Sequence, residues 1–242
     1  MNVNHISSLV AKDMNVFLRK KTVLYTVVLL PLALGIGFPA LLNYMQSRKP
    51  LTAQGLNVLM PTFSFFYVIL ASIAPVQIAT YSLIGEKIEK SIEPLLATPI
   101  TDNEILLGKS LIAFVPSIIA IYISASIFTI LIDNTVANLP YLLPDWTFGF
   151  ILVIMVPLTL LFSIEVGIIV SSRVNDARSG SQLGMLFIIP FVGIYLGSEL
   201  SVITLDQNTM YAIAGVLLLV DIVLFFISKF LFQREQILTN WK

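Results

Sequence analysis

Residues 85–109 read GEKIEKSIEPLLATPITDNEILLGK. The stretch carries Glu86, Lys87, Glu89, Lys90, Glu93, Asp102, Glu104 and Lys109, and it lies between two apolar runs that are each long enough to cross a bilayer. Charge at this density is too expensive to rest in hydrocarbon. The segment therefore sits in water and divides the flanking apolar sequence into two spans. It is too short for a domain and too patterned for a slack linker, so it reads as a docking element.

Its internal pattern supports that reading. Gly85 suits the end of a helix, and Glu86 with Lys90 forms an i,i+4 pair. Pro94 breaks or restarts the helix, and Pro99 makes a rigid corner. Leu95, Leu96 and Ile100 form an apolar patch rimmed by charge, the composition of a protein-contact surface. Thr101 followed three residues later by Glu104 is a capping box, so a new helix is expected to start there and run on into the next span. The segment is expected to form a helix–turn–helix lying under the membrane.

Composition extends the argument to the whole chain. Only 12% of the 242 residues are charged and 57% are hydrophobic, whereas soluble domains carry about a quarter charged residues. With apolar runs of about 20 residues, this indicates a multi-pass helical membrane protein. The formal net charge is zero, so no basic field points to nucleic acid. There is no cysteine, which excludes disulfides, a thiol nucleophile and thiolate metal sites. The single histidine, His5, lies outside every apolar run. No cleavable signal pattern precedes the first apolar run, which is too long for a signal h-region.

Working outward from the polar segment, the spans are expected at about 22–44, 57–84, 110–132, 147–171, 182–205 and 209–232. Pro31 and Pro39 should kink the first, and Gly35 and Gly37 should let a neighbour approach closely. Pro61 and Pro75 lie inside the second. The fifth is interrupted by Gly197, Ser198 and Glu199, which leaves open a shorter helix followed by a re-entrant piece near Gly197–Thr204. Residues 4–20 place Ile6, Leu9, Val10, Phe17 and Leu18 at helical spacing, with Lys12, Asp13, Asn15 and Arg19 between them. They are expected to form an interfacial amphipathic helix on the membrane surface, with a plain amphipathic tail as the alternative. Of the 14 Lys and Arg residues, only Arg48 and Lys49 fall in outer loops if both termini are cytoplasmic. This positive-inside bias places both termini, residues 85–109 and the Arg173–Arg178 loop in the cytoplasm. The fold class is thus an all-α membrane protein of six transmembrane helices, one transmembrane domain over 1–242. The lack of cysteine, and of glycosylation sites in the outer loops, fits a prokaryotic cell membrane.

The stretch EKIEKSIEPLLATPITDNEILLGK resembles the cytoplasmic segment of permease subunits of the ABC transporter type-2 exporter class. In that family the second and third spans are linked by roughly G-E-[KR]-E-x-G-[ST]-[LI]-E-x-L-L-x-[ST]-P-[VI]-[ST]-x-x-E-[IL]-L-x-G-K. Ile88 and Lys90 depart from it, where the family usually has Glu and Gly; Lys90 makes a tight turn there harder. The ending FLFQREQILTNWK and the stretch SSRVNDARSGSQLG also resemble the family. The resemblance implies that residues 85–109 hold a coupling helix docking on a separate ABC ATPase subunit. The contact would fall on Glu86, Glu89, Glu93, Leu95, Leu96, Thr98, Pro99, Thr101 and Glu104. It implies two permease copies, as a homodimer, with ATP and Mg on the partner subunits and no cofactor in this chain.

Other features are weighed against plainer readings. NEILLGKS, residues 103–110, ends like a phosphate-binding loop, but Asn103 stands where that pattern needs glycine. ATP hydrolysis is therefore expected in another chain. Glu165 and Asp221 are the two acids inside expected spans. They are candidates for the translocation path, or else each bonds a hydroxyl on a neighbouring helix, for instance around Ser163. Gly180/Gly184 and Gly193/Gly197 have GxxxG spacing, which serves dimerisation or intrachain packing equally well. Glu199 and Asp206 lie near the outer face, as gate residues or simply as solvated loop. No GxSxG, HExxH or His/Cys cluster supports catalysis. The competing functions are an ion-coupled transporter or channel using Glu165 and Asp221 without an ATPase, and a membrane scaffold for a cytoplasmic enzyme.

Overall fold

The computed structural model describes residues 3–19, 21–48, 53–88, 100–135, 145–174, 176–200 and 202–231. These form helices and no strands. Six helices are long and apolar enough to cross a membrane: Val23–Arg48, Leu59–Gly85, Asp102–Asn134, Trp146–Arg173, Ala177–Glu199 and Gln207–Leu231. The expected order of six spans therefore holds.

The second span is the centre of the bundle and packs most extensively against the fourth. The first lies on the third, the sixth on the fourth, and the fifth against the second. Side-chain contacts define two ends of the bundle. At one end the N-terminal helix, the close of the second span and the start of the third meet through Asp13, Ser82 and Lys109. At the opposite end the Thr62 hydroxyl donates to Glu199 Oε1 at 2.7 Å, joining the second span to the close of the fifth. Each end has its own apolar core. Leu9, Phe17, Val27, Leu83 and Ile105 belong to the first, and Phe65, Tyr67, Phe128, Phe148 and Met210 to the second.

Several boundaries move, each for a local reason. The second-span helix runs Ala53–Ile88, past Gly85 rather than ending there. The third-span helix starts at Asp102, because the expected capping box forms: Thr101 N donates to Glu104 Oε2 at 3.0 Å and Glu104 N to Thr101 Oγ1 at 3.4 Å. Pro31, Pro39, Pro61, Pro75 and Pro116 all lie inside continuous helices. The fifth span continues through Gly197 to Glu199, with one 3-10 turn at Leu186–Ile188. Beyond it the described residues make a short bend rather than a re-entrant helix. Val202 N and Ile203 N both donate to Gly197 O, at 2.9 and 3.0 Å. Asp206 then caps the sixth span by accepting from Thr209 N at 3.2 Å.

The fourth span contains a feature with no counterpart in the hydropathy pattern, a π-helical turn at Ile151–Met155. Val156 N donates five residues back to Ile151 O. The next donor in that register would be residue 157, a proline, which has no N–H. The carbonyl left over is Leu152 O, and the Tyr122 hydroxyl of the third span donates to it at 3.0 Å. A wide turn is thereby satisfied from a neighbouring helix, as an apolar interior requires.

Small residues set the close helix contacts. A Cβ placed on Gly180 would lie 2.7 Å from Thr80 Cγ2, and one on Gly184 would strike Val76, so this GxxxG pair packs the fifth span on the second within the chain. Gly193 has nothing within 4 Å. In the first span the expectation divides. Gly35 is pressed against Ser124 of the third span, whereas Gly37 has open space around it.

Candidate functional site

The polar segment leaves the second-span helix at Ile88 and rejoins the fold at Ile100. Glu86 lies on the last turn of that helix. The expected contact residues Glu89, Glu93, Leu95, Leu96, Thr98 and Pro99 lie outside the described residues. Thr101 is exposed, while Glu104 is 3% exposed and engaged in the capping box. Its negative charge at the first turn also suits the helix dipole. Ile100 packs against the apolar core at this end, so the returning chain is anchored before its helix begins.

What holds this end together is a buried ion pair. Lys109 Nζ lies 2.7 Å from Asp13 Oδ2, and the two side chains are 1% and 9% exposed. Ser82 Oγ donates to the same carboxylate oxygen at 3.2 Å, and Lys109 Nζ also donates to Ser82 O at 3.4 Å. Three elements are thus joined at one point: the N-terminal helix Val3–Arg19, the close of the second span and the start of the third. One turn earlier on the N-terminal helix, Leu9 sits over Gly108, where a Cβ would lie 2.7 Å from Leu9 Cδ2. Gly108 and Lys109 together form the seat of the N-terminal helix. Either charge alone would be costly here, and removing one partner of a buried pair typically costs about 3–5 kcal/mol.

This corrects one reading of the sequence. Asp13, expected on the polar side of an interfacial helix, is buried in the stripe formed by Ile6, Leu9 and Phe17. The signal was present in the spacing. Asp13 stands four residues after Leu9 and four before Phe17, and an acid in an apolar stripe calls for a buried partner. The ending of residues 103–110 that resembles a phosphate loop is helical, and its lysine is held by Asp13.

The second cluster lies inside the membrane-spanning part. Glu165 on the fourth span is 8% exposed and Asp221 on the sixth is 5% exposed. Asp221 lies on the stripe Met210, Ala214, Leu217, Asp221 that faces the fourth span. The two carboxylates are near enough to interact electrostatically. Glu165 Oε2 and both Asp221 carboxylate oxygens accept no hydrogen bond from the described residues. The hydroxyl of Ser163 donates to Thr159 O of its own helix at 2.8 Å, so it does not supply the expected neighbour-helix bond. Glu199 and Asp206 are occupied at the other end, on Thr62 and on the cap of the sixth span.

Six apolar helices, a polar excursion between the second and third, and a docked N-terminal helix define a multi-pass membrane protein with a built base beneath its spans. The chain belongs to the ABC-2 family transporter proteins, whose family model matches residues 7–226. The family is one of membrane components of transporters, and the match begins in the N-terminal helix and ends within the sixth span. No curated protein matches the chain closely enough to narrow this further.

Proposed function

We propose that this chain is the permease subunit of an ATP-driven ABC exporter. The 85–109 segment docks on a separate ATPase subunit, which carries ATP and Mg. Two copies of the chain form the path, as a homodimer. The end bearing Asp13, Lys109 and the basic residues faces the cytoplasm, as the positive-inside bias favours, and the membrane is that of a prokaryotic cell. Glu165 and Asp221 contribute polar groups to the path.

The observation that carries this reading is the base beneath the segment. A docking element transmits force only if its ends are fixed to what must move. Here both helices that bear the segment meet the N-terminal helix at Lys109, Asp13 and Ser82. The buried carboxyl pair favours a second reading, in which ions drive transport without an ATPase.

Purification of the tagged chain in mild detergent separates the two. An ABC ATPase is expected to co-purify, bringing vanadate-sensitive ATP hydrolysis with it, and to be lost when Leu95→Asp and Leu96→Asp are combined. Absence of ATP hydrolysis from both samples would reject the exporter reading and turn attention to Glu165 and Asp221.

A further inference from the structure

The N-terminal helix is attached to the bundle in two ways. Covalently, only residue 20 separates Val3–Arg19 from the first-span helix Lys21–Arg48. Through its side chains, it packs mainly on the third span, at the point where the polar segment re-enters. Leu9 fills the space that Gly108 leaves open, and Asp13 neutralises Lys109. Val23 and Val27 of the first span share one apolar core with Phe17, Leu83 and Ile105.

This arrangement resists partial release. If the helix lifted away, Lys109 would lose the buried carboxylate 2.7 Å from its ammonium, and Ser82 would lose the Asp13 acceptor of its hydroxyl. The helix therefore stays on its seat while the seat moves. Displacement of the second- and third-span ends must then pull on residue 20 and, through it, on the first span.

We propose that Asp13 and Lys109 are positioning residues that latch the N-terminal helix to the junction of the second and third spans, making this helix a second lever from the 85–109 segment to the first span. The proposal rests on reading 85–109 as the ATPase contact. It adds a route for motion from the ends of the two helices joined to that segment to the first span, which is not joined to it.

The native chain has no cysteine, and a Cβ on Gly108 would lie 3.7 Å from Leu9 Cβ. That separation is within the range of a disulfide. The test uses the chain assembled with its ATPase, comparing hydrogen–deuterium exchange with and without ATP and vanadate. In the unaltered complex, peptides from 21–48 are expected to change their exchange on nucleotide trapping. Asp13→Asn should raise exchange across 3–19 and shrink the nucleotide-dependent change in 21–48 several-fold. Oxidised Leu9→Cys/Gly108→Cys, placed in the Asp13→Asn chain, should restore that change. A helix that merely stabilised the fold would leave the nucleotide-dependent difference intact.

An undiminished difference in Asp13→Asn overturns the proposal. So does a disulfide that abolishes the difference in the otherwise unaltered chain, since the helix would then have to leave its seat. Should Asp13→Asn fail to fold, Ser82→Ala is the milder variant, with the same expected direction. If the unaltered complex shows no nucleotide response at all, the ATPase reading fails instead. The latch is then read in the chain by itself, where failure of the disulfide to form, or exchange at 3–19 unchanged by Asp13→Asn, overturns it.

Discussion

Gly35→Ala adds one methyl group where the first span crosses the third. The added Cβ would lie 2.5 Å from Ser124 Oγ and 2.7 Å from Ser124 O. The hydroxyl can rotate, but the carbonyl belongs to a helix backbone and cannot. Relief to ordinary contact requires the two helices to part by roughly 0.7–1 Å, enough to forfeit about a quarter to a half of the dispersion energy of the facing atoms. The same movement stretches the hydrogen bond from Ser124 Oγ on the third span to Pro31 O on the first. Overpacking of this kind costs about 1–3 kcal/mol. Gly37→Ala, two residues on, meets nothing within 4 Å, and alanine is the better helix former by about 0.8–1 kcal/mol in water. Thermal unfolding of both variants in the same detergent, followed by near-ultraviolet circular dichroism, should show Gly35→Ala melting several degrees lower and Gly37→Ala unchanged or slightly higher. Equal melting of Gly35→Ala and the unaltered chain, or an equal loss for both variants, would refute the packing argument.

Two further outcomes follow from the hydrogen bonding. Tyr122→Phe removes the donor to Leu152 O beside the π turn and should cost about 1 kcal/mol; a melting temperature equal to that of the unaltered chain would show that the carbonyl is satisfied otherwise. Asp176 caps the fifth span by accepting from Ser179 N and Ser179 Oγ, each at 2.9 Å. The Ser179 backbone bond, first, and its hydroxyl hold the Asp176 carboxyl below its ordinary value of 3.8. Because the folded value is depressed, the cap's contribution is present above the unfolded value and is lost as pH falls through the folded one. The Ser179 amide resonance should therefore titrate below pH 3.8, and a midpoint at or above that value would contradict the cap.

Much of the architecture was legible because its causes are local. A membrane span announces itself through about 20 consecutive residues of transfer free energy, and the spans were placed to within a few residues except that the third starts early, at Asp102, and the fifth both starts and ends earlier than expected, at Ala177–Glu199. The third span's early start at Asp102 was legible too, since a capping box involves residues three apart in one chain segment. The extension of the second span past Gly85 was not, because glycine permits a helix to end without requiring it.

The candidate site divides along the same line. That residues 85–109 form a polar stretch between the second and third spans follows from charge and hydropathy alone, and Asn103 by itself breaks the resemblance of residues 103–110 to a nucleotide-binding loop. Which residues hold the segment's ends in place does not. Asp13 and Lys109 are 96 positions apart, and nothing in either neighbourhood names the other. Glu165 and Asp221 were each visible as acids in apolar surroundings, yet only the packing of the sixth span on the fourth brings them within electrostatic reach. Gly35 and Gly37 are equivalent as text, and only the neighbour that each meets separates them. Hydropathy and capping act between residues close along the chain and can be read in order. Ion pairing and close packing act between surfaces, and which surfaces meet is decided only when the helices have assembled.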